Sequence, residues 1–152
     1  MVCSLEKIEH DILFACNKLR ENVGCDFTGL ALQKQSGLDI TWPFVSGNRN
    51  EKFKYITVRY GKGIAGKVIG TNRSMQIDDF PSHINGKSTD YPIMLAEKMV
   101  AAFAVPLQLK GIPKGSLLIG YRKAIQFKED DYNKVKQTAN EIEALLPLYF
   151  LE

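Results

Sequence analysis

Val100-Ala101-Ala102-Phe103-Ala104-Val105-Pro106-Leu107-Gln108-Leu109 and Ser116-Leu117-Leu118-Ile119-Gly120-Tyr121-Arg122 decide the fold class. Both runs are short, apolar and bounded by turn residues, which is the signature of buried strands. Lys110-Gly111-Ile112-Pro113-Lys114-Gly115 lies between them and reads as a hairpin loop. A lone hairpin is marginal in water, so the rest of the chain must supply further strands or a helix.

Upstream, residues 27–33 read as a strand and Ser36-Gly37 as a turn. Leu38-Asp39-Ile40-Thr41-Trp42-Pro43-Phe44-Val45 alternates, which places Leu38, Ile40, Trp42 and Phe44 on one face. Pro43 marks an edge or a bend there. Residues 46–50 form a polar turn, and residues 53–59, aromatic and β-branched, read as a third strand. Leu5, Ile8, Ile12, Ala15, Cys16 and Leu19 recur at steps of three and four. That spacing predicts an amphipathic helix over 4–22, with Ser4 as N-cap, Glu6 in its first turn and Gly24 at its end. At the other terminus Phe127 precedes the acidic turn Glu129-Asp130-Asp131. Tyr132, Val135, Ala139, Ile142 and Leu146 then make a helical stripe that Pro147 ends or kinks.

The middle of the chain has another character. Tyr60-Gly61-Lys62-Gly63-Ile64-Ala65-Gly66-Lys67-Val68-Ile69-Gly70 reads as a turn followed by a short helix from about Ile64, closed at Gly70. Residues 75–77 suit a short strand and 78–89 a polar loop. Tyr91-Pro92-Ile93-Met94-Leu95-Ala96-Glu97-Lys98 suits a second short helix, with Asp90 as a cap and Pro92 in its first turn. The whole predicts an α+β domain over 1–152. Its antiparallel β-sheet carries the N- and C-terminal helices on one face and the loop and short-helix segment 60–98 on the other.

Composition narrows the function. Apolar residues are 45%, charged 24% and aromatic 10% of 152 residues, which excludes disorder and collagen-like repeats. The formal net charge is +3, with basic residues scattered, so nucleic acid is not an expected partner. The longest apolar run, 99–107, is too short to span a bilayer. The N-terminus turns charged at once and has no signal-peptide core, which predicts a cytoplasmic protein. Cys3, Cys16 and Cys25 are odd in number and lack CxxC spacing, so neither a disulfide framework nor a zinc site is expected. His10 is expected near the surface and His83 in the polar loop, and neither has a second ligand at metal spacing.

The glycine-rich turn has two readings. It is either a plain connection between strand and helix or a cradle for an anion, because the first amides of a helix lack intrahelical partners and attract negative charge. It is not a nucleotide P-loop, since GxxxxGK[ST] is absent. The aromatics have two readings as well: Trp42 and Tyr91 suit a core first and the walls of a ligand site second. Arg59, Lys62 and Lys67 read as solvated side chains, with anion steering as the lesser reading. Asp78-Asp79 reads as a solvated or capping pair.

The ordered set Gly61-Lys62-Gly63-Ile64-Ala65-Gly66, Asp78-Asp79, Val105-Pro106-Leu107 and Lys114-Gly115-Ser116-Leu117-Leu118-Ile119-Gly120 resembles the GAF domain family of small-molecule sensors. Phe127 and the acidic helix start complete the likeness, which covers nearly the whole chain. Trp42-Pro43, Gly63-Ile64-Ala65-Gly66 and Tyr91-Pro92-Ile93 are similar to the stand-alone nitrate receptors of that family. That resemblance implies a non-enzymatic sensor that binds nitrate and modulates a sensor histidine kinase of a two-component system. It implies backbone donors at Ile64, Ala65 and Ile93, walls from Trp42, Pro43, Tyr91 and Pro92, and no cofactor. The apolar end Leu145, Leu146, Leu148, Tyr149, Phe150 and Leu151 is expected to pack on another chain, a homodimer included, or on the first helix. Alternatives within the family are a sensor of cyclic nucleotides or other metabolites and a free methionine sulfoxide reductase. The reductase needs reactive cysteines near its ligand, and none follows Cys25.

Overall fold

The computed structural model describes residues 2–82, 84 and 86–151, with the side chains of residues 2–4 left out. His83 and the side chains of Cys3 and Ser4 therefore lie outside the described residues. Helix α1 (Val2–Val23) is followed by strands β1 (Phe27–Gln33), β2 (Asp39–Ser46) and the two-residue β3 (Val58–Arg59). Then come α2 (Gly63–Thr71), β4 (Met75–Ile77) and α3 (Pro92–Ala96). The chain closes with β5 (Ala101–Leu109), β6 (Ile112–Tyr121), α4 (Glu129–Glu143) and the single turn α5 (Leu146–Tyr149). The strands form one antiparallel sheet in the order β3-β2-β1-β6-β5-β4.

Each face of the sheet has its own core. On one, α1, α4 and α5 bury Ile8, Ile12, Cys16, Leu19, Val135, Ile142 and Leu146 against Leu30, Val105, Leu117 and Ile119. On the other, Ile64, Val68, Ile69, Tyr91, Ile93 and Met94 of the covering segment meet Phe27, Ala31, Trp42, Ala104 and Leu118. The expected α+β arrangement is the observed one.

Several boundaries differ from expectation, each for a local reason. Helix α1 starts at Val2, so the Ser4 backbone stands inside it and Glu6 is past the first turn. Residues 53–59 are not one strand: Lys52–Tyr55 makes a 3-10 turn, and only Val58–Arg59 pairs with β2. The β5–β6 hairpin is tighter than the loop at 110–115. Lys110 and Gly111 both have positive φ, 54° and 80°, and the twist of such a two-residue turn lets β6 begin at Ile112. Asn72, left-handed at φ 54°, ends α2 rather than Gly70. Helix α4 stops at Glu143, and Pro147 sits in the first turn of α5.

The most consequential departure is in β2. Leu30 pairs with Phe44 but Leu32 with Thr41, so Trp42 and Pro43 together face Ala31. This bulge flips the side-chain alternation. Ile40 and Trp42 enter the core under the covering segment, whereas Phe44 enters the core under the helices. Leu38 is exposed. The four residues therefore do not share a face, and the bend at Pro43 is the cause.

Candidate functional site

Helix α2 begins without a cap. Its N-cap residue, Lys62, offers no side-chain hydrogen bond, and its own amide donates to the Arg59 carbonyl at 2.9 Å. The amides of Gly63, Ile64 and Ala65 occupy the first three helical positions, which have no intrahelical acceptor. Among the described residues none of them donates elsewhere. Close packing of this helix requires glycine at position 66, where a Cβ would stand 2.5 Å from the Arg59 carbonyl oxygen. Gly63 has φ +65°, a conformation that other L residues rarely adopt.

Helix α3 begins in a similar way. Asp90 does not cap it; its Oδ2 accepts the Lys87 amide at 3.0 Å and closes the preceding 3-10 turn, Ser88–Asp90. The N-cap position falls to Tyr91, which supplies no side-chain cap. Pro92 has no amide hydrogen to satisfy. Met94 and Leu95 both donate to the Tyr91 carbonyl, at 3.1 and 3.2 Å. The amide left over is that of Ile93.

The two helix starts adjoin. A Cβ built on Gly63 would lie 3.5 Å from the Asp90 carbonyl oxygen and 3.5 Å from Val58 Cγ1. Trp42, Val58, Gly63, Ile64, Ala65, Tyr91, Pro92 and Ile93 together line one small cavity. About 10 Å³ of it is open to the centre of a water-sized sphere, which is room for roughly one water molecule. The walls are deeply buried: Tyr91 is 0% exposed and Trp42 3%. Buried walls of this kind strengthen any hydrogen bond made inside.

Trp42, Ile64, Ala65, Tyr91, Pro92 and Ile93 are thus brought together as the sequence leads one to expect. Pro43 is not part of this lining. Its side chain is exposed and borders a surface groove with Glu9, His10 and Leu13, because the bulge turns it away from Trp42. Val58 and Gly63 complete the lining. Gly63 belongs to the glycine-rich turn that the sequence singles out, whereas nothing in the pattern of residues 53–59 separates Val58 from its neighbours.

Lys67 is not a solvated lysine. Its Nζ donates to Tyr91 Oη at 2.9 Å and lies 5.0 Å from the centre of the Tyr91 ring. Arg59 and Lys62 are exposed, as expected. Phe80 meets the Tyr91 ring edge to face, with centroids 6.0 Å apart. Behind α3, Glu97 is fully buried and paired with Arg122 at 2.6 Å. Its Oε1 also accepts the Arg49 amide at 2.8 Å.

Among the described side chains, the cysteines stand away from the cavity. Cys16 and Cys25 belong to the core on the helical side of the sheet, and the cavity is on the other side. Burial pushes the Cys16 thiol up to about 12 and raises that of Cys25. Among the described residues, no cluster of His, Cys, Asp and Glu side chains could hold a metal ion. No helix among them is long and apolar enough to cross a membrane.

Comparison with protein families matches residues 15–146 to the GAF domain. A solved structure of an NreA protein from Staphylococcus aureus, mutated in its nitrate binding site, is 34% identical. The alignment covers 80% of this chain and 91% of that one, with a TM-score of 0.73. A type II free methionine-R-sulfoxide reductase from Thermoplasma acidophilum is 19% identical, with 97% of each chain covered and a TM-score of 0.77. A GAF domain/HD domain protein from Geobacter sulfurreducens is 11% identical, covering 100% and 99% of the two chains with a TM-score of 0.80. These last two share the fold alone. No curated protein sequence matches the chain. With the family match spanning most of its length, the chain belongs to the GAF domain family.

Proposed function

We propose that this GAF domain is a nitrate sensor whose ligand sits between the starts of α2 and α3. The amides of Ile64, Ala65 and Ile93 donate to the anion, and Trp42, Tyr91 and Pro92 wall it in. The observation that supports this reading is that two uncapped helix starts meet at one cavity with buried walls. The likeness to an NreA protein with a nitrate binding site supports it as well. A small flat oxyanion suits such a cradle because helix-start amides carry partial positive charge and need no side-chain cation in contact with the ligand. Nitrate has four heavy atoms, so its binding is limited to about 6 kcal/mol and a dissociation constant of tens of micromolar or weaker. That range suits a detector of anion supply.

Nitrate is larger than the space now open between the walls, so α2 and α3 must part slightly to admit it. Occupancy then favours one arrangement of the covering segment over another, which is what a signalling domain requires. We place a sensor histidine kinase of a two-component system as the partner that reads this difference. Exposed Phe14 on α1 and Leu148 and Leu151 at the C-terminal end offer it apolar contact. The reductase alternative lacks support: the described thiols are buried, high in pKa and on the far side of the sheet.

Trp42 is the one tryptophan of the chain and lines the cavity, so its emission reports occupancy directly. Titration with nitrate is expected to change that emission with a saturating curve, while chloride at equal ionic strength leaves it unchanged. Identical responses to the two salts contradict the proposal.

A further inference from the structure

Lys67 stands three residues after Ile64 in α2, and its side chain ends on Tyr91, the residue from which α3 departs. Its ammonium is 2.9 Å from the phenol oxygen and 5.0 Å from the ring centre. A lysine in water keeps its rotamer freedom and full hydration, and a half-buried one bonded to a phenol gives up part of both. The packing of α2 does not call for a cation here, because its core contacts come from Ile64, Ala65, Val68 and Ile69. Among the described residues, no backbone hydrogen bond joins α2 to residues 91–96. The relative placement of the two sets of amides therefore depends on side-chain contacts, and Lys67–Tyr91 is a polar one.

We propose that Lys67 is a positioning residue for the anion site. By clasping Tyr91 it holds the Ile93 amide opposite those of Ile64 and Ala65. This rests on the nitrate reading above. The clasp acts through the Tyr91 hydroxyl, so removing either partner removes the same contribution.

Calorimetric titration with sodium nitrate tests it on the wild type, Lys67→Met, Tyr91→Phe, the double variant and Lys67→Arg. Lys67→Met and Tyr91→Phe are each expected to weaken nitrate binding about tenfold, as loss of a hydrogen bond to a charged group does. The double variant is expected to bind no more weakly than either single one, and Lys67→Arg to recover most of the affinity. Should Lys67→Met fail to fold, Lys67→Gln, neutral but polar, replaces it. Wild-type affinity in Lys67→Met, or losses that multiply in the double variant, overturn the clasp and leave the nitrate reading standing. No heat from the wild type at millimolar nitrate overturns both.

Discussion

Arg122 grips Glu97 twice, through the side chain at 2.6 Å and through the backbone carbonyl at 2.8 Å. Its guanidinium also donates to the Gly47 carbonyl at 3.1 Å. The contact joins the end of β6 to the residue that follows α3, so the covering segment is anchored just past that helix. Glu97 is fully buried, and removal of its cation leaves an interior carboxylate with the Arg49 amide but no opposite charge. Arg122→Ala is therefore expected to destabilise the domain by about 3–5 kcal/mol, read from urea unfolding. Lys134→Ala breaks an exposed pair with Asp130 and is expected to change stability by less than about 1 kcal/mol.

Backbone recognition makes an unusual mutational prediction. Ile64→Ala keeps the amide and is expected to alter nitrate affinity little, apart from some loss of stability through the core. Ala65→Pro deletes a donor in the first helical turn and is expected to abolish nitrate binding, at some cost in stability because the ring crowds the helical Ile64. Calorimetry together with circular dichroism checks both. Equal losses of affinity from the two substitutions would argue for side-chain recognition instead.

Packing at Gly66 is expected to be as exacting as the site itself. A Cβ there stands 2.5 Å from the Arg59 carbonyl oxygen, so Gly66→Ala must push α2 off the preceding turn. A loss of about 1–3 kcal/mol is expected, as for other overpacked positions, with weaker nitrate binding because the amides move. Thermal unfolding and a Trp42 fluorescence titration measure the two effects.

Alkaline pH is expected to lower stability in part through Cys16. Its thiol is held at about 12, against an ordinary value of 9.0, because burial disfavours the thiolate. The unfolded chain loses that proton first, so the stability contributed by the neutral buried thiol is complete below pH 9 and is lost progressively from there to about pH 12. Stability against urea at pH 7, 9 and 10.5 is expected to fall over that range. Cys16→Ala, less stable at neutral pH, is expected to show a shallower fall.

The helices, the paired strands and the covering segment were legible because each has a hydrophobic period and defined turn residues. Ile8, Ile12, Cys16 and Leu19 announce one buried helical face, and residues 101–109 announce a buried strand. Local register was less legible. The bulge that sends Trp42 and Phe44 to opposite cores depends on pairing with Ala31, a long-range fact that alternation in β2 alone cannot carry. Pro43 was misplaced for that reason. Lys67 was misread because a lysine on a short helix is usually solvated, and its partner is 24 residues away. Asp90 looked like a cap for α3 because sequence cannot distinguish a 3-10 turn from the helix that follows it.

A crystal structure of the protein grown with sodium nitrate tests the central claim most directly. Nitrate is expected between the starts of α2 and α3, its oxygens about 2.7–3.2 Å from the amide nitrogens of Ile64, Ala65 and Ile93. Nitrate held by side-chain cations elsewhere, with those three amides still unpartnered, would contradict it.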